Sequence, residues 1–268
     1  NKRAFLPATH HLIAWPWTEM NVRRARNSYC YDRSGRRVVD MGQIAPWAVL
    51  GLRPWGMARA LRVELDRGGM YLCDSMVPSQ LERALARLTG RTGSWAAQLP
   101  DRVSGQGTVP TWRPFLPVPG ASGPLVVLLP LPPSFQLALV HSSAAAGQAD
   151  VQQRVPRVVL RVTEHIAGVL AGIPERRKQT GRPLPGLPST ALSEAWWSHF
   201  DAGPFSRSGP YLFYRGPQDS YHDFRQHMGD AGFLLPTDPA TPATIPLELS
   251  AGELARYLER VQSVPHGG

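Results

Sequence analysis

The chain has 268 residues, of which 43% are apolar and 18% are charged, and this composition predicts a globular protein with a large buried core. Its 27 prolines and 25 glycines predict many turns and irregular connections. The sequence contains no apolar run of about eighteen residues, so no membrane-spanning helix is expected. No basic segment followed by an apolar one marks export, and a cytoplasmic location is therefore expected.

The positive charge of the chain does not by itself predict a nucleic-acid partner. The formal net charge is +9, with 29 lysines and arginines against 20 acidic residues. The arginines are spread along the whole chain, without an aromatic or glycine-rich RNA-binding signature. Cys30 and Cys73 are the only cysteines, and we expect both to be reduced and buried. No metal site is expected, since no histidine or cysteine pair has metal-ligand spacing.

The first third of the chain predicts a hairpin and two helices. Residues 27–41 form the hairpin, with a turn at residues 32–35. A first helix begins at Pro54 and ends before Gly68, because apolar residues follow helical spacing between them. Its apolar positions are Trp55, Ala58, Leu61 and Leu65. A second helix has Ser79 as its N-cap and Gly90 as its stop.

The middle of the chain is less regular. Residues 91–123 predict an irregular crossover, and residues 125–129 predict one buried strand. Residues 134–173 carry a partly helical pattern that is broken by Pro156 and ended by Gly172 and Pro174, although the first apolar group, residues 137–140, fits a strand equally well. Residues 175–190 are basic and proline-rich, which is typical of a surface loop.

The last third predicts a compact alternation of strands and helices. Strands are expected at residues 211–214, 233–235 and 245–249, and a helix at residues 221–228. Ser250 and Glu253 have the spacing of a capping box, which predicts that a final helix begins there.

Two ends of the sequence resemble one family. Segments near both ends resemble the class III (fold type I) pyridoxal-phosphate aminotransferases. The segments at the front are WPWTEM, YDRSGRRVVDM, LGLRPWGMARALRVELD and MYLCDSMVPSQLERALARLTG, and the segment at the back is FRQHMGDAGFLLPTDPATPATIPLELSAGELARYLERV. Within that family, the diaminopelargonic acid aminotransferases of biotin synthesis are the most similar. The resembling segments cover somewhat less than half of the chain.

The resemblance implies an α+β fold that is a reduced version of the aminotransferase fold. It implies one compact unit over residues 1–268, made of an N-terminal hairpin-and-helix segment (1–90), an irregular crossover (91–133) and a helical segment with a small C-terminal αβ domain (134–268). The large cofactor domain is expected to be missing. Lys2 and Lys178 are the only lysines, and neither has a position that suits a Schiff base, so no cofactor is expected. The family's substrate-carboxylate arginine is also missing from PTDPATP after Leu235.

An aminotransferase site brings an amine to a carbonyl carbon, and that geometry remains useful if the aldehyde is a second substrate. We therefore expect an enzyme of secondary metabolism that joins a tryptophan-like amine to an aldehyde through an iminium, in a Pictet-Spengler cyclisation. The chain is similar in length to the small homodimeric β-carboline-forming enzymes of actinobacteria. A homodimer with shared active sites is expected. Two alternatives stay open: a non-catalytic relic that acts as a binding or accessory subunit, and a pyridoxal-phosphate enzyme completed by a partner chain.

The candidate site residues follow from this reaction. A carboxylate must move protons, and Glu19, Asp74 and Glu82 lie in the resembling segments. Arg53 is a candidate for binding a substrate carboxylate. Aromatic and proton-relaying candidates for substrate binding are Trp15, Trp17, Trp47, Tyr71 and His10. The structural alternatives are a core role for Trp47, a solvent-facing position for Glu82 and a surface position for His10. Asp32 and Asp40 are interpreted as turn and hairpin residues.

Overall fold

The computed structural model describes the following segments of the chain: residues 22–26, 28–42, 56–68, 72–73, 76–98, 111–116, 125–128, 138–142, 155–180, 197–201, 203–246 and 249–263. Within these segments the chain forms five α-helices and four small β-sheets. None of the described helices combines the length and apolar character that crossing a bilayer requires.

One four-stranded sheet combines three strands from the N-terminal part of the sequence with one strand from its C-terminal part. Strands β1 (Val22–Arg26), β2 (Tyr29–Asp32) and β3 (Arg37–Asp40) are antiparallel neighbours. Strand β11 (Phe233–Leu234) adds to β3 in parallel. The predicted hairpin is confirmed. Its turn is held by the Asp32 carboxylate, which accepts hydrogen bonds from the Ser34 hydroxyl at 2.6 Å and from the Arg36 amide at 2.9 Å.

A helical layer is formed by α1 (Met57–Asp66), α2 (Met76–Thr89) and α3 (Arg157–Thr180), with α3 packed on both others. The helix α2 buries Leu81, Ala84 and Leu85, which share one face at helical spacing. The start of α1 approaches α3 closely, because a Cβ on Gly56 would lie 2.9 Å from a ring carbon of His165.

Three details of the helix predictions are wrong. The helix α2 begins at Met76 rather than after Ser79, because Pro78 falls in the first turn, where a helix does not need its missing N–H. In α1 the buried residues include Met57 and Glu64, whereas Leu65 is 49% exposed. The helix α3 continues past Gly172 and Pro174 to Thr180, so residues 175–180 are helical and not part of a loop.

A three-stranded antiparallel sheet has the order β5 (Ser94–Gln98), β7 (Ala138–Ser142), β6 (Leu125–Leu128). All four residues of β6 are buried, which confirms the predicted strand. The apolar residues 137–140 were predicted to be either helix or strand, and residues 138–142 form the strand β7. The prediction of an irregular crossover over residues 91–123 is wrong at β5. The serine and alanines of this strand have little strand propensity, and its pairing with β7 stabilises it. Strands β4 (Leu72–Cys73) and β8 (Val155–Pro156) form a separate two-stranded sheet.

The C-terminal region packs one sheet against two helices. The sheet contains β9 (Phe205–Ser208), β10 (Tyr211–Tyr214) and β12 (Ala243–Thr244), and the helices are α4 (Tyr221–Asp230) and α5 (Ala251–Gln262). The expected order of strands and helices is confirmed, but the last strand pairs at residues 243–244, ahead of the predicted 245–249. The largest side chains of this core are the aromatic residues Trp197, Phe200, Tyr221, Phe224, Phe233 and Tyr257.

The predicted capping box is confirmed and also holds the N-terminal hairpin. The Ser250 hydroxyl accepts a hydrogen bond from the Glu253 amide at 3.3 Å, and the Ser250 amide donates to the Glu253 carboxylate at 2.9 Å. The same carboxylate binds Arg37 at 2.7 Å and the Tyr29 hydroxyl at 2.9 Å. Burial alone would raise the pKa of Glu253, but these hydrogen bonds and the charge of Arg37 outweigh it and lower that pKa.

Replacing Glu253 with alanine is expected to lower the free energy of unfolding by about 2 kcal/mol, because the Ser250 amide, Arg37 and Tyr29 all lose the carboxylate that accepts their hydrogen bonds. Urea denaturation followed by tryptophan fluorescence measures this change. Glu259→Ala is the matched control, since Glu259 is exposed on the same helix and should change stability by less than about 0.5 kcal/mol. Equal losses in the two variants would contradict the assignment.

Candidate functional site

One predicted site residue, Glu82, lies in the described part of the chain. It is half-buried on α2, next to the buried Leu81 that faces the helical layer. A carboxylate at the border of a packed face is accessible to solvent while it still contacts apolar surface. The other predicted site residues, Glu19, Asp74, Trp15, Trp17, Trp47, Arg53, Tyr71 and His10, lie outside the described residues.

A carboxyl group is fully buried at the end of β3. Asp40 is 0% exposed, and the Cys30 thiol donates to its Oδ2 at 3.9 Å. Its backbone amide donates to the Ser28 carbonyl at 2.8 Å, which fixes the strand position. Asp40 was interpreted from the sequence as a hairpin residue, and it does end the hairpin strand. Its side chain, however, points into the interior rather than to solvent.

Burial controls the ionisation of this pair. Desolvation raises the pKa of Asp40 to about 7, although hydrogen bonds from the Gly42 amide and the Cys30 thiol oppose the rise. Burial, with the nearby Asp40 charge, also raises the pKa of the Cys30 thiol, so it stays protonated at neutral pH. A carboxyl group that gains and loses a proton near pH 7 suits general acid and base chemistry.

The Asp40 carboxyl lies where two sheets meet. The next residue, Met41, donates its amide to the Leu234 carbonyl at 2.9 Å and accepts from the Thr244 amide at 2.7 Å. Thr244 is paired with Tyr211 on β10. The four-stranded sheet is thereby joined to the C-terminal sheet through one residue beside Asp40.

The junction requires a residue without a side chain at position 42. A Cβ on Gly42 would lie 3.0 Å from the backbone carbon of Leu235 and 3.1 Å from the amide nitrogen of Pro236. We expect Gly42→Ala to lower the free energy of unfolding by about 1–3 kcal/mol, because backbone must shift to admit the methyl group. Gly229→Ala on α4 is the control, since a Cβ there meets nothing within 4 Å and should be neutral or stabilising. Thermal unfolding of both variants checks this difference.

A second polar group is buried in the sheet of β5, β6 and β7. His141 is 4% exposed, and its ring makes an edge contact with Trp95 at 5.0 Å between centroids. Its Nε2 lies 3.1 Å from the Thr92 carbonyl, which only accepts, so this nitrogen carries a proton. Its Nδ1 is buried and has no hydrogen-bond partner among the described residues. In the neutral ring Nδ1 is therefore an available acceptor.

Sequence reasoning did not single out Asp40 or His141 as site residues. The signal for Asp40 was a carboxylate inside a run of apolar residues, since residues 38–41 are all buried. His141 follows three buried apolar residues of β7 in the same way. A charged or titratable residue that ends an apolar strand is a usable indicator of a buried polar group.

Comparisons with known proteins find matches to the fold of this chain and none to its sequence. No protein-family model matches the sequence, and neither does any curated protein sequence. Solved structures do match. The ornithine aminotransferase of Plasmodium yoelii aligns with a TM-score of 0.57 at 9% identity, over 97% of this chain and 94% of that chain. The acetylornithine aminotransferase of Elizabethkingia anophelis gives 0.56 at 9% identity, over 98% and 95%.

A serine palmitoyltransferase of S. paucimobilis, whose structure contains a pyridoxal-phosphate–myriocin aldimine, gives a TM-score of 0.58 at 11% identity, over 93% of each chain. The chain has an aminotransferase-like fold. The described helices and small sheets correspond to the reduced α+β version expected from the sequence. At such low identities the likeness extends to the fold and not to activity.

The described residues of this chain do not fit the cofactor that the fold family implies. Pyridoxal phosphate is held as a Schiff base by a lysine that reaches a buried aldehyde. Lys178 lies within the last turn of the 24-residue helix α3, and the described sheets contain no lysine. Lys2, the only other lysine, lies outside the described residues. No step of the chemistry proposed below passes through that cofactor.

Proposed function

We propose that the chain is a cofactor-independent biosynthetic enzyme that condenses a tryptophan-like amine with an aldehyde and closes a ring by a Pictet-Spengler reaction. The observation that carries the proposal is an aminotransferase-like fold in which Lys178 lies within a helix. That fold is used by known enzymes for chemistry between amines and carbonyl carbons. Because Lys178, the one lysine in the described part of the chain, lies within a helix, we expect the aldehyde to arrive as a substrate.

The reaction balances without an oxidant or reductant. The amine attacks the aldehyde carbon, a proton is added and one water leaves, which gives an iminium. Carbon 2 of the indole ring then attacks the iminium carbon, a C–C bond forms, and the ring proton leaves to a base. A carboxyl group must therefore give a proton in the first half and accept one in the second.

Asp40 is the described carboxyl whose ionisation matches this requirement, although its side chain is 0% exposed and a substrate reaches it only if the surrounding sheets open. Its pKa of about 7 lets it be protonated or ionised near neutral pH without a large change in conditions. Glu82, Glu19 and Asp74 remain the candidates that the sequence resemblance supplies. We propose that one of these carboxyl groups is the base that accepts the ring proton, and that the active protein is a homodimer with shared sites.

Purified protein incubated with L-tryptophan and a panel of small aldehydes, followed by mass spectrometry, tests the proposal. We expect a product with the summed mass of both substrates less one water, formed as a single stereoisomer. Borohydride separates the two possible products, because it adds two hydrogens to an open imine and none to the closed ring. Heat-denatured protein is the control for uncatalysed condensation, which gives a stereochemical mixture.

Substitution of the carboxyl candidates identifies the base. One of Glu19→Gln, Asp40→Asn, Asp74→Asn and Glu82→Gln is expected to reduce turnover by about a hundredfold or more, a usual contribution of a positioned base. Glu164→Gln on α3 is the matched control, because Glu164 is partly exposed and paired with Arg161 at 3.4 Å. If no aldehyde in the panel gives a protein-dependent product, the binding or accessory role replaces this proposal.

A further inference from the structure

A short segment, residues 111–116, connects two of the sheets. At its start Thr111 forms a parallel bridge with Val126, and the Trp112 amide donates to the Val126 carbonyl on β6 at 2.7 Å. The segment then makes a turn that is closed by the Leu116 amide and the Arg113 carbonyl at 3.3 Å. This turn lies against the β9–β10 hairpin, where a Cβ on Gly209 would be 3.6 Å from the turn's backbone.

Arg113 occupies the turn and faces an aromatic ring. Its guanidinium carbon lies 5.5 Å from the ring centroid of Tyr211, and burial lowers the pKa of Arg113. No carboxylate among the described residues binds this guanidinium. Asp201, the carboxylate beside this hairpin, is engaged by Arg207, whose Nη2 donates to it at 3.1 Å. A largely desolvated cation of this kind is stabilised when an anion binds to it.

Phe115 holds a strained and exposed position in the same turn. Its φ of 65° lies in the left-handed region, which non-glycine residues rarely adopt. Its side chain is 44% exposed, and its ring lies 6.1 Å from that of Trp197. The indole N–H of Trp197 is buried and has no acceptor among the described residues. The turn therefore places one exposed aromatic ring, that of Phe115, two residues along the chain from Arg113 and against a buried indole whose N–H lacks an acceptor in the described part of the chain.

We propose that Arg113 binds the carboxylate of an aromatic amino-acid substrate, with Phe115 and Trp197 contacting its ring. This assignment extends the proposed function, on which the choice of tryptophan as the ligand rests. Arg53, the carboxylate-binding group expected from the sequence, lies outside the described residues and stays a prediction. A planar guanidinium gives two parallel hydrogen bonds to a carboxylate, and the neighbouring rings suit an indole. The strain at Phe115 is consistent with a side chain positioned for a ligand rather than for the core.

Isothermal titration calorimetry with L-tryptophan and with tryptamine tests the assignment, because the two ligands differ only in the carboxylate. The unmodified protein is expected to bind L-tryptophan about tenfold to a hundredfold more tightly than tryptamine. Arg113→Gln is expected to abolish that difference and to leave tryptamine binding unchanged. Arg215→Gln is the matched control, because Arg215 is exposed at the end of the same hairpin and should keep the difference.

Phe115→Gly gives an independent readout. Glycine relieves the left-handed backbone, so this variant is expected to melt at a higher temperature than the unmodified protein while it binds both ligands several-fold more weakly. The assignment is overturned if the unmodified protein binds the two ligands equally or binds neither, or if Arg113→Gln retains the preference. The comparison of ligands on the unmodified protein stands even if Arg113→Gln does not fold.

The binding experiment separates this inference from the proposed reaction. No aldehyde is present, so turnover plays no part in the titration. Selective binding of L-tryptophan without any cyclised product would support the carboxylate site and reject the reaction. Cyclised product with equal binding of both ligands would support the reaction and reject the role of Arg113.

Discussion

Replacing Asp40 with asparagine is expected to remove a large pH dependence from the stability of the protein. In the unfolded chain this carboxyl releases its proton near the ordinary value of 3.8, whereas in the folded protein it keeps the proton until about pH 7. Between these values the folded state binds more protons than the unfolded state, so the free energy of unfolding falls as the pH rises. Below pH 4 and above pH 7 this contribution is constant.

The size of the effect follows from the displacement of the pKa. A change from 3.8 to about 7 corresponds to about 4 kcal/mol of stability lost between pH 4 and pH 8. Asparagine is neutral at every pH and has nearly the same shape, so Asp40→Asn should lose this decline and be the more stable form at pH 8. Urea unfolding at a series of pH values, followed by tryptophan fluorescence, measures both proteins.

Asp32 in the hairpin turn provides a control with the opposite sign. The Ser34 hydrogen bond, with backbone amides of the turn, lowers the pKa of this exposed carboxyl. Its contribution is therefore present above the unfolded pKa and is lost as the pH falls through the folded pKa. Asp32→Asn should weaken the protein at neutral pH and not at pH 2. The pKa assigned to Asp40 would be contradicted if the free energy of unfolding changed with pH in the same way for the unmodified protein and for Asp40→Asn between pH 4 and pH 7.

Replacing Phe233 with alanine is expected to cost about 3–5 kcal/mol of unfolding free energy. The side chain is 0% exposed, and its ring contacts Tyr257 of α5 edge to face at 5.4 Å between centroids. Phe233 also belongs to β11, which pairs with Val39 and Asp40 of β3 through its two residues. The substitution therefore removes core contacts and weakens the strand that pairs with β3.

The strand register gives a second, more specific result. Phe233 pairs with Val39, so its side chain and that of Asp40 lie on opposite faces of the sheet, and the pH dependence of stability that Asp40 causes should persist in Phe233→Ala. Phe233→Leu fills most of the space and should lose less than half as much stability. Leu65→Ala is the control for a surface position, since Leu65 is 49% exposed and should change stability by less than about 0.5 kcal/mol. A similar loss in Leu65→Ala and Phe233→Ala would contradict the location of the core.

The parts of the fold that depend on neighbouring residues were predictable from the sequence. The capping box needs only Ser250 and Glu253, and the buried strand at residues 125–128 is marked by its own apolar run. The strand β5 was missed, because its residues have little intrinsic preference and its stability comes from pairing with β7. The end of α3 was also missed, since Pro174 inside a helix is tolerated only when packing elsewhere on the helix outweighs the lost hydrogen bond.

The candidate site was less predictable than the fold, for the same reason. The position of Asp40 inside a sheet depends on its pairing with Leu234, which is distant in sequence and lies beside it only in the folded chain. Arg113 is a candidate anion-binding group because it faces the ring of Tyr211 and because no carboxylate among the described residues binds it. Neither fact is visible in the sequence around Arg113. The resemblance to the aminotransferases identified the fold, but the site candidates that it supplied, apart from Glu82, lie outside the described residues. Buried polar groups contributed by long-range contacts require coordinates.

The most direct test of the central claim is a single turnover assay with L-tryptophan deuterated at carbon 2 of the indole ring and one reactive aldehyde. Before the assay the protein is treated with hydroxylamine and dialysed, which removes any pyridoxal phosphate. We predict a protein-dependent product that resists borohydride, retains the tryptophan nitrogen and lacks the carbon-2 deuterium, because ring closure replaces that C–D bond with a C–C bond. A keto acid formed from tryptophan, or no product beyond that of heat-denatured protein, would contradict the claim.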